Sequence, residues 1–362
     1  MPPDRRGERQ TALRRLLEAE GLDGLLVTHL PNIRYLTGFS GSAALLLVRR
    51  DAVVLVTDYR YATQATVEAG SIAGVEIDQR SVWERLGRVF AARPLETLGI
   101  EPHALTVRDA ERVSELTRAR VVPTSELVER LRASKAPEEV AAIRSAAVLA
   151  QEALKEVLPG IRVGQTEVAV GAALEAALRR LGSEWHPFPT IVASGPRSAL
   201  PHARTSPRPV AAGELLLLDF GAQVDGYCAD LTRTVVVGGR ADERQRTMHE
   251  LVQSAQRRAI EHIRSGMSAK EGDALARDVI ATRGFGEAFG HSLGHGLGLE
   301  VHEAPRLAPN SDAPLPEHAV VTVEPGVYFP GWGGIRLEDD IYLGPNGAER
   351  LSDGRTELLE LM

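Results

Sequence analysis

Three histidines and two glutamates fall within one short stretch of the chain, HSLGHGLGLEVHE at residues 291–303. Imidazoles and carboxylates are the side chains that bind divalent metals and transfer protons near neutral pH. Between them lie Gly294, Gly296 and Gly298, and glycine permits a close backbone approach that a Cβ would block. The stretch therefore predicts a metal or acid–base site, at which the glycines let the backbone come close to the bound ions.

Two aspartates on one predicted hairpin supply a first pair of carboxylates. The segment ELLLLDFGAQVDGYCADLTRTVVVG (214–238) has two apolar arms around Asp-Gly at 225–226, and Asp-Gly at such a place is a strong hairpin signal. If the loop has two or four residues, each odd-numbered residue of one arm pairs with an even-numbered residue of the other. Asp219 and Asp230 then project from the same face of the hairpin, either directly opposite each other or as diagonal neighbours. Two such carboxylates repel unless they share a proton or a cation. Either one alone could instead cap a turn or pair with Arg233.

A second predicted hairpin, AVVTVEPGVYFPGWGGIRLEDDIYLG (319–344), repeats the arrangement. Glu324 ends its first arm, Glu338 lies in its second, and the reversal is predicted at 330–334. Four carboxylates and an imidazole are too many ligands for a single ion, but two ions can share them through bridging ligands. Oxygen-rich sites with an imidazole suit manganese, cobalt or zinc.

The elements that must position these groups fall into two regions. In the first, an amphipathic helix at 8–22 precedes three short apolar runs that predict strands, and helix-like segments then alternate to about residue 132, which indicates a small α/β domain. A second domain is predicted from 133, with Ser134 as a helix cap and Pro137 in the first turn. Strands and turns prevail after 187, and the further predicted helices span 165–181, 242–265 and 268–283.

Composition indicates the class of protein. A chain of 362 residues with 43% hydrophobic and 25% charged residues is typical of a soluble two-domain globular protein, and the net charge of −7 with no basic stripe predicts no nucleic-acid partner. No apolar run approaches the roughly 18 residues that span a bilayer, and the start has no apolar core of signal-peptide length. Cys228 is alone, so a reducing compartment is permitted. We expect a cytoplasmic protein without membrane contact.

Several motifs resemble those of the pita-bread metallopeptidases, and most closely the Xaa-Pro peptidases, aminopeptidase P and prolidase. The matching stretches are IVASGPRSALPHA, LLLDFGAQVDGYCADLTRT, HSLGHGLGLEVHEAPR, VTVEPGVY and GGIRLEDD. NIRYLTGFSGSAALLLV and LVTDYRYATQA resemble the creatinase-type first domain of these enzymes. The resemblance implies an α+β protein, with a smaller creatinase-like α/β domain at 1–132 followed by a pita-bread (creatinase/aminopeptidase) catalytic domain at 133–362.

The resemblance also implies roles for the metal-binding residues. Asp219 would bind one of two divalent ions, Asp230 and Glu338 would bridge both, and His295 and Glu324 would complete the second site. Manganese is expected first, with cobalt or zinc as alternatives. Bound divalent ions lower the pKa of water towards neutrality, which would supply the nucleophile.

The same resemblance implies a second group of residues beside the metals. His202 and His302 would polarise the scissile carbonyl and stabilise the oxyanion, and Glu324 would relay the proton to the leaving nitrogen. Further candidates for contact with substrate are His291, Arg306 and Arg336, although His291 could be a structural imidazole and Arg306 could form a surface salt bridge.

The predicted reaction is hydrolysis of the bond between an N-terminal residue and a following proline, by an Xaa-Pro aminopeptidase. The alternative is an Xaa-Pro dipeptidase (prolidase). A methionine aminopeptidase is disfavoured by the creatinase-like first domain, and metal-free creatinase by the complete ligand set. A non-catalytic pita-bread module that binds histones or RNA is disfavoured by the ligands and the acidic charge. Family members suggest a homodimer, in which the segment 31–42 of a partner closes the site.

Overall fold

A computed structural model describes residues 4–352 and 355–362 of the chain. These residues form two compact units that divide between Arg132 and Ala133. Each unit has its own sheet structure and its own apolar core. None of the helices in the described residues combines the length and the apolar character that crossing a membrane requires.

The first unit contains a mixed six-stranded sheet with the strand order β4-β3-β2-β1-β5-β6. Strand β2 is antiparallel to β1 and β3, whereas the other neighbours are parallel. Leu26, Leu47 and Leu98 of the sheet share a buried core with Leu86 and Phe90. The alternation of helices and strands predicted for this region is thus confirmed. The elements are α1 (Arg6–Ala19), β1 (Gly24–Val27), α2 (Leu30–Thr37), β2 (Ala44–Arg49), β3 (Val53–Asp58), α3 (Ala62–Ala69), β4 (Gly74–Asp78), α4 (Val82–Ala92), β5 (Thr97–Ile100), α5 (Val107–Leu116), β6 (Arg120–Pro123) and α6 (Leu127–Arg132).

The second unit begins with a helix pair, continues through strands, and then repeats a helix pair before further strands. Its elements are α7 (Pro137–Val157), α8 (Glu167–Leu181), β7 (Ile191–Ser194), β8 (Glu214–Val224), β9 (Tyr227–Val237), α9 (Glu243–His262), α10 (Ala269–Thr282), β10 (Gly294–Gly296), β11 (Glu303–Leu307), β12 (Val320–Val323), β13 (Gly326–Phe329), β14 (Gly333–Arg336), β15 (Asp339–Gly344), β16 (Gly347–Arg350) and β17 (Leu359–Leu361). The three helices predicted from 165 onward are all present, with slightly shorter ends.

Two layers of helix on sheet make up this second unit. Helices α7 and α8 pack on the sheet β17-β9-β8-β7, around a core that includes Ile143, Leu174 and Phe220. Helices α9 and α10 share a second core with the sheet β11-β10-β12-β15-β16, in which Val252 and Val321 are fully buried. Each half therefore provides one sheet: Asp219 and Asp230 lie within the first, whereas Glu324 and Glu338 directly adjoin β12 and β15 of the second.

The start of α7 differs from the expectation. Pro137 occupies the first turn as predicted, but the residue that caps the helix is Ala136, not Ser134. Ala136 has no polar side chain to contribute, so the Glu139 carboxylate accepts the Ala136 N–H at 2.8 Å. The Ser134 hydroxyl instead donates to the carbonyl of Glu317 at 2.7 Å, because the chain is still outside the helix at that residue.

Candidate metal centre

The first carboxylate hairpin forms as the sequence predicts. Strands β8 and β9 are joined by a two-residue turn at 225–226, whose residues have positive φ values of 51° and 79°, as a type I′ turn requires. In the observed register Asp219 faces Thr232. Asp230 faces Gly221. The two aspartates are therefore diagonal neighbours on one face of the sheet, which confirms one of the two predicted arrangements.

The second carboxylate hairpin is present but interrupted. It consists of two ladders, β12 with β15 and β13 with β14, which share one register. Glu324 and Glu338 lie opposite each other at the break between these ladders. Pro325 has no N–H with which to continue the ladder, and the Glu338 N–H donates to the carbonyl of Thr232 at 3.2 Å. The break thus joins Glu338 to the aspartate hairpin.

His295 lies on β10 and directs its Nε2 at the carboxylates. This atom is 3.5 Å from Glu324 Oε1 and 3.8 Å from Asp230 Oδ2. Its Nδ1 donates to the carbonyl of Gly296 at 3.0 Å, which leaves the Nε2 lone pair free to bind a cation. Burial, reinforced by the neighbouring His302, lowers the pKa of His295 to about 4. The imidazole is therefore neutral, the state in which histidine binds metal.

The buried carboxylates lack partners that the protein itself could provide. Asp230 Oδ1 and Glu338 Oε1 are both buried, and no residue in the described ranges donates a hydrogen bond to either. Burial raises the pKa of both groups well above the ordinary range, and the surrounding carboxylates raise it further. Burial likewise raises the pKa of Glu324 to about 8. Asp230, His295 and Glu338 offer ligand atoms within 4.8 Å of one another. A divalent cation would compensate this charge, so the residues present fit a metal.

Arg336 is buried beside these acids, and its donors are used by the protein. Its guanidinium forms an ion pair with Asp219, donates to the Tyr328 hydroxyl at 2.7 Å, and donates through Nε to Thr232 Oγ1 at 3.3 Å. Thr232 in turn donates to Glu338 Oε2 at 2.5 Å. These contacts favour a structural role for Arg336, which holds Asp219 in place. They do not favour the substrate contact that the sequence suggested for Arg336.

His291 has both ring nitrogens engaged. Its Nδ1 donates to the carbonyl of Ser292 at 2.8 Å, and its Nε2 is 2.8 Å from the Tyr328 hydroxyl. The carbonyl of Ser292 can only accept, so the single proton of the neutral ring is on Nδ1. Nε2 therefore accepts a hydrogen bond from the Tyr328 hydroxyl. Burial lowers the pKa of His291 to about 4. This geometry favours the structural alternative for His291, although its ring also lines the cavity described next.

One cavity of about 920 Å³ brings the predicted site residues together. Its wall also includes Phe188, Ile191 and Arg204, which the sequence did not single out. The ring centroids of His302 and His295 are 4.4 Å apart, so His302 lies directly beside His295. The predicted residues that line the cavity are Asp219, Asp230, His295, Glu324, Glu338, His202, His291, His302, Arg306 and Arg336.

Arg306 lines this cavity and brings a positive charge to it. It lies on β11 opposite His295, and its side chain is exposed. Across the part of the chain that the structure describes, its guanidinium forms neither an ion pair nor a hydrogen bond. The surface salt bridge considered for Arg306 is therefore absent from the described residues, and the group is available to an anion in the cavity.

Two glycines of the histidine-rich stretch are required by the packing of β10. A Cβ on Gly294 would lie 2.0 Å from the carbonyl oxygen of Thr322, and one on Gly296 would lie 2.2 Å from that of Ala304. These contacts are with the backbone of the neighbouring strands, and the expectation that the glycines let the chain approach bound ions stays a prediction. The two glycines let β10 pack between its neighbours, which brings His295 to the acids.

The sequence analysis did not identify the residues that support the predicted metal ligands. Thr232 and Asp340 each stand two positions after a predicted ligand and hence on the same face of a strand, which is a signal that could have found them. Asp340 accepts the N–H of Asp230 at 3.1 Å. Tyr328, by contrast, gave no periodic signal, because its contacts with His291 and Arg336 depend on the tertiary fold.

Comparisons with known proteins cover nearly the whole chain. The model of metallopeptidase family M24 matches residues 141–345, and that of the creatinase/prolidase N-terminal domain matches 9–134. The uncharacterized peptidase YqhT of Bacillus subtilis is 42% identical over 352 residues, which are 96% of this chain and 99% of that protein. The structure of an Xaa-Pro dipeptidase from Bacillus anthracis is similar with a TM-score of 0.95 at 38% identity, and the match covers 98% of this chain and 100% of the other. For an X-Pro aminopeptidase from Thermotoga maritima the TM-score is 0.90 at 35% identity, with 97% and 99% covered.

Proposed function

The chain belongs to metallopeptidase family M24, and we propose that it is an Xaa-Pro dipeptidase that uses two divalent metal ions. It is a metallopeptidase with the pita-bread fold. We assign residues 1–132 as the creatinase-like domain and 133–362 as the catalytic domain. The observation that carries the proposal is the cluster of buried carboxylates around His295, with two carboxylate oxygens that accept no hydrogen bond from the described residues.

The ligand assignment follows from the positions of the acids. Asp230 and Glu338, one from each hairpin, offer ligand atoms within 4.8 Å of each other. Each has one oxygen without a hydrogen-bond partner among the described residues, which suits a bridge between two ions. Asp219 would complete one site, and His295 with Glu324 the other. Manganese suits such an oxygen-rich set, with cobalt or zinc as alternatives. Bound there, the metal would supply Lewis acidity and a water of lowered pKa.

The surrounding side chains have separate tasks in hydrolysis. His202 and His302 line the cavity beside the acids, where they can donate hydrogen bonds to the scissile carbonyl oxygen as negative charge develops on it. Glu324 can accept a proton from the attacking water and deliver it to the proline nitrogen, which must be protonated to leave. Arg306, at the same cavity, can hold a carboxylate.

Substrate length depends on whether a free carboxylate is recognised. The sequence alone favours an aminopeptidase that acts on longer peptides. Arg306 now provides an exposed cation at the cavity with no partner among the described residues, which suits the C-terminal carboxylate of a dipeptide. The Xaa-Pro dipeptidase from Bacillus anthracis is also more similar to this chain than the X-Pro aminopeptidase from Thermotoga maritima. Both observations favour the dipeptidase.

The decisive comparison uses one Xaa-Pro pair in three forms: the free dipeptide, its C-terminal amide, and the same pair extended by two residues. We expect the free dipeptide to have the highest kcat/KM, because only there does the carboxylate lie beside Arg306. The Arg306→Gln variant should lose about 10- to 100-fold in kcat/KM on the dipeptide, the scale of one charge-assisted contact, and little on the amide. Arg257→Gln, at an exposed position on α9, is the matched control. Faster cleavage of the extended peptide by the wild type would restore the aminopeptidase assignment.

Two further expectations belong to the proposal. The family resemblance suggests a homodimer. Light scattering of the protein as it elutes from a size-exclusion column would measure its molar mass and so test this expectation. The cytoplasmic location rests on the composition and on the single cysteine, and fractionation of the cells would test it.

A further inference from the structure

A second cluster of metal-binding side chains lies within the first unit. His29 directly precedes α2, His103 lies between β5 and α5, and Glu129 is in α6. One potential ligand atom from each of the three is within 4.8 Å of the others. These residues come from separate parts of the chain, so an ion bound by all three would cross-link the first unit.

The distances within this cluster suit a small tetrahedral ion. His103 Nε2 is 3.1 Å from Glu129 Oε1, and His29 Nδ1 is 3.8 Å from the same oxygen. In a tetrahedral zinc site with bonds of about 2.0 Å, the ligand atoms lie about 3.3 Å apart. The two imidazole rings are nearly perpendicular, at 89° with centroids 5.3 Å apart, so both can direct a nitrogen at the carboxylate without stacking.

A network of buried polar groups holds the cluster in place. Asn32, which is fully buried, donates from Nδ2 to Glu129 Oε1 at 2.5 Å and to Glu101 Oε1 at 2.6 Å. The other Glu101 oxygen accepts the backbone N–H groups of Thr28 and His29 at 2.7 and 2.9 Å. Outer contacts of this kind orient the ligands of metal sites. Glu129 Oε2 is buried, and no described residue donates to it.

We propose that His29, His103 and Glu129 bind one zinc ion that is distinct from the metallopeptidase centre. Two imidazoles and one carboxylate form a nitrogen-rich set that favours zinc, whereas the acid-rich centre suits manganese. The His103 side chain is 38% exposed, so water can reach the ion and occupy the fourth position. The ion would fasten the loop before α5 and helix α6 to the start of α2.

The test measures zinc binding in the full-length protein after the catalytic centre has been disabled. Asp230→Asn with Glu338→Gln removes both bridging carboxylates and provides this background. We expect the background protein to bind one zinc ion per chain in a titration against a chromophoric chelator. Adding His103→Gln should raise the zinc Kd by at least about 100-fold, since even outer contacts of metal sites are worth about 10- to 100-fold. His262→Gln changes an exposed histidine outside the cluster and should leave the Kd unchanged.

A second readout keeps the result independent of any single substitution. Zinc should raise the melting temperature of the background protein, because a ligand that binds only the folded state stabilises it. His103→Gln and His29→Gln should each abolish that rise, with unchanged circular dichroism before heating. An equal zinc Kd in the background and His103→Gln proteins would overturn the proposal, as would a zinc-induced rise in melting temperature that survives both substitutions. Neither outcome would affect the assignment of the catalytic centre.

Discussion

Replacing Thr232 with valine tests whether the buried hydroxyl supports metal binding. Thr232 is fully buried and donates to Glu338 Oε2 at 2.5 Å. Valine keeps the shape and removes the donor. A hydrogen bond to a charged group contributes about 1.5–3 kcal/mol, and about 1.4 kcal/mol corresponds to a factor of ten in Kd. We therefore expect Thr232→Val to weaken binding of the metal by about 10- to 100-fold, the range found for outer partners of metal ligands.

The matched control is Thr234→Val on the same face of β9. Its buried hydroxyl donates to the carbonyl of Arg336 at 3.0 Å and does not contact a proposed ligand. Both variants should lose thermal stability, but only Thr232→Val should raise the manganese Kd, measured by titration calorimetry on metal-free protein. If the two variants bind manganese equally well, the hydroxyl of Thr232 has no part in metal binding and the reasoning fails.

Three other predictions follow from the site. Burial raises the pKa of Glu324 to about 8, so in metal-free protein this carboxyl holds its proton at neutral pH. Manganese binding should then release protons, and the affinity for manganese should weaken as the pH falls below about 8. Calorimetry in buffers of different ionisation enthalpy measures this proton release, and finding none would contradict the prediction. His202→Ala and His302→Ala should each lower kcat by about 10²-fold or more with full metal content; loss of metal from the His302 variant would make that residue a ligand. Gly294→Ala would place a Cβ 2.0 Å from the carbonyl oxygen of Thr322, so we expect destabilisation of at least about 1–3 kcal/mol, and an unchanged melting temperature would contradict the packing described for β10.

Local sequence signals were sufficient to predict those parts of the site that depend on a single turn or on the two-residue period of a strand. Asp-Gly at 225–226 specified a tight turn, and the tight turn fixed the register that places Asp219 and Asp230 on one face. The same period-two reasoning could have reached Thr232, which shares that face with Asp230. The helices after 165 were also predictable, because their apolar spacing extends over several turns.

Contacts between distant segments were beyond the reach of such signals. Nothing in the sequence shows that the Glu338 N–H leaves its own hairpin for the carbonyl of Thr232, or that Tyr328 is shared between His291 and Arg336. The packing requirement for Gly294 and Gly296 could not be predicted for the same reason, because the atoms that exclude a Cβ belong to the neighbouring strands β12 and β11. Spacing indicated which residues could bind metal, and the fold determined what supports them.

Anomalous diffraction at the manganese edge, from crystals soaked in Mn²⁺, tests the central claim most directly. We expect two peaks about 3.5–4 Å apart, as in other two-metal hydrolases. Both peaks should lie within bonding distance of Asp230 and Glu338, with Asp219 beside one and His295 beside the other. A single peak, or two peaks that Asp230 and Glu338 do not bridge, would contradict the dinuclear centre.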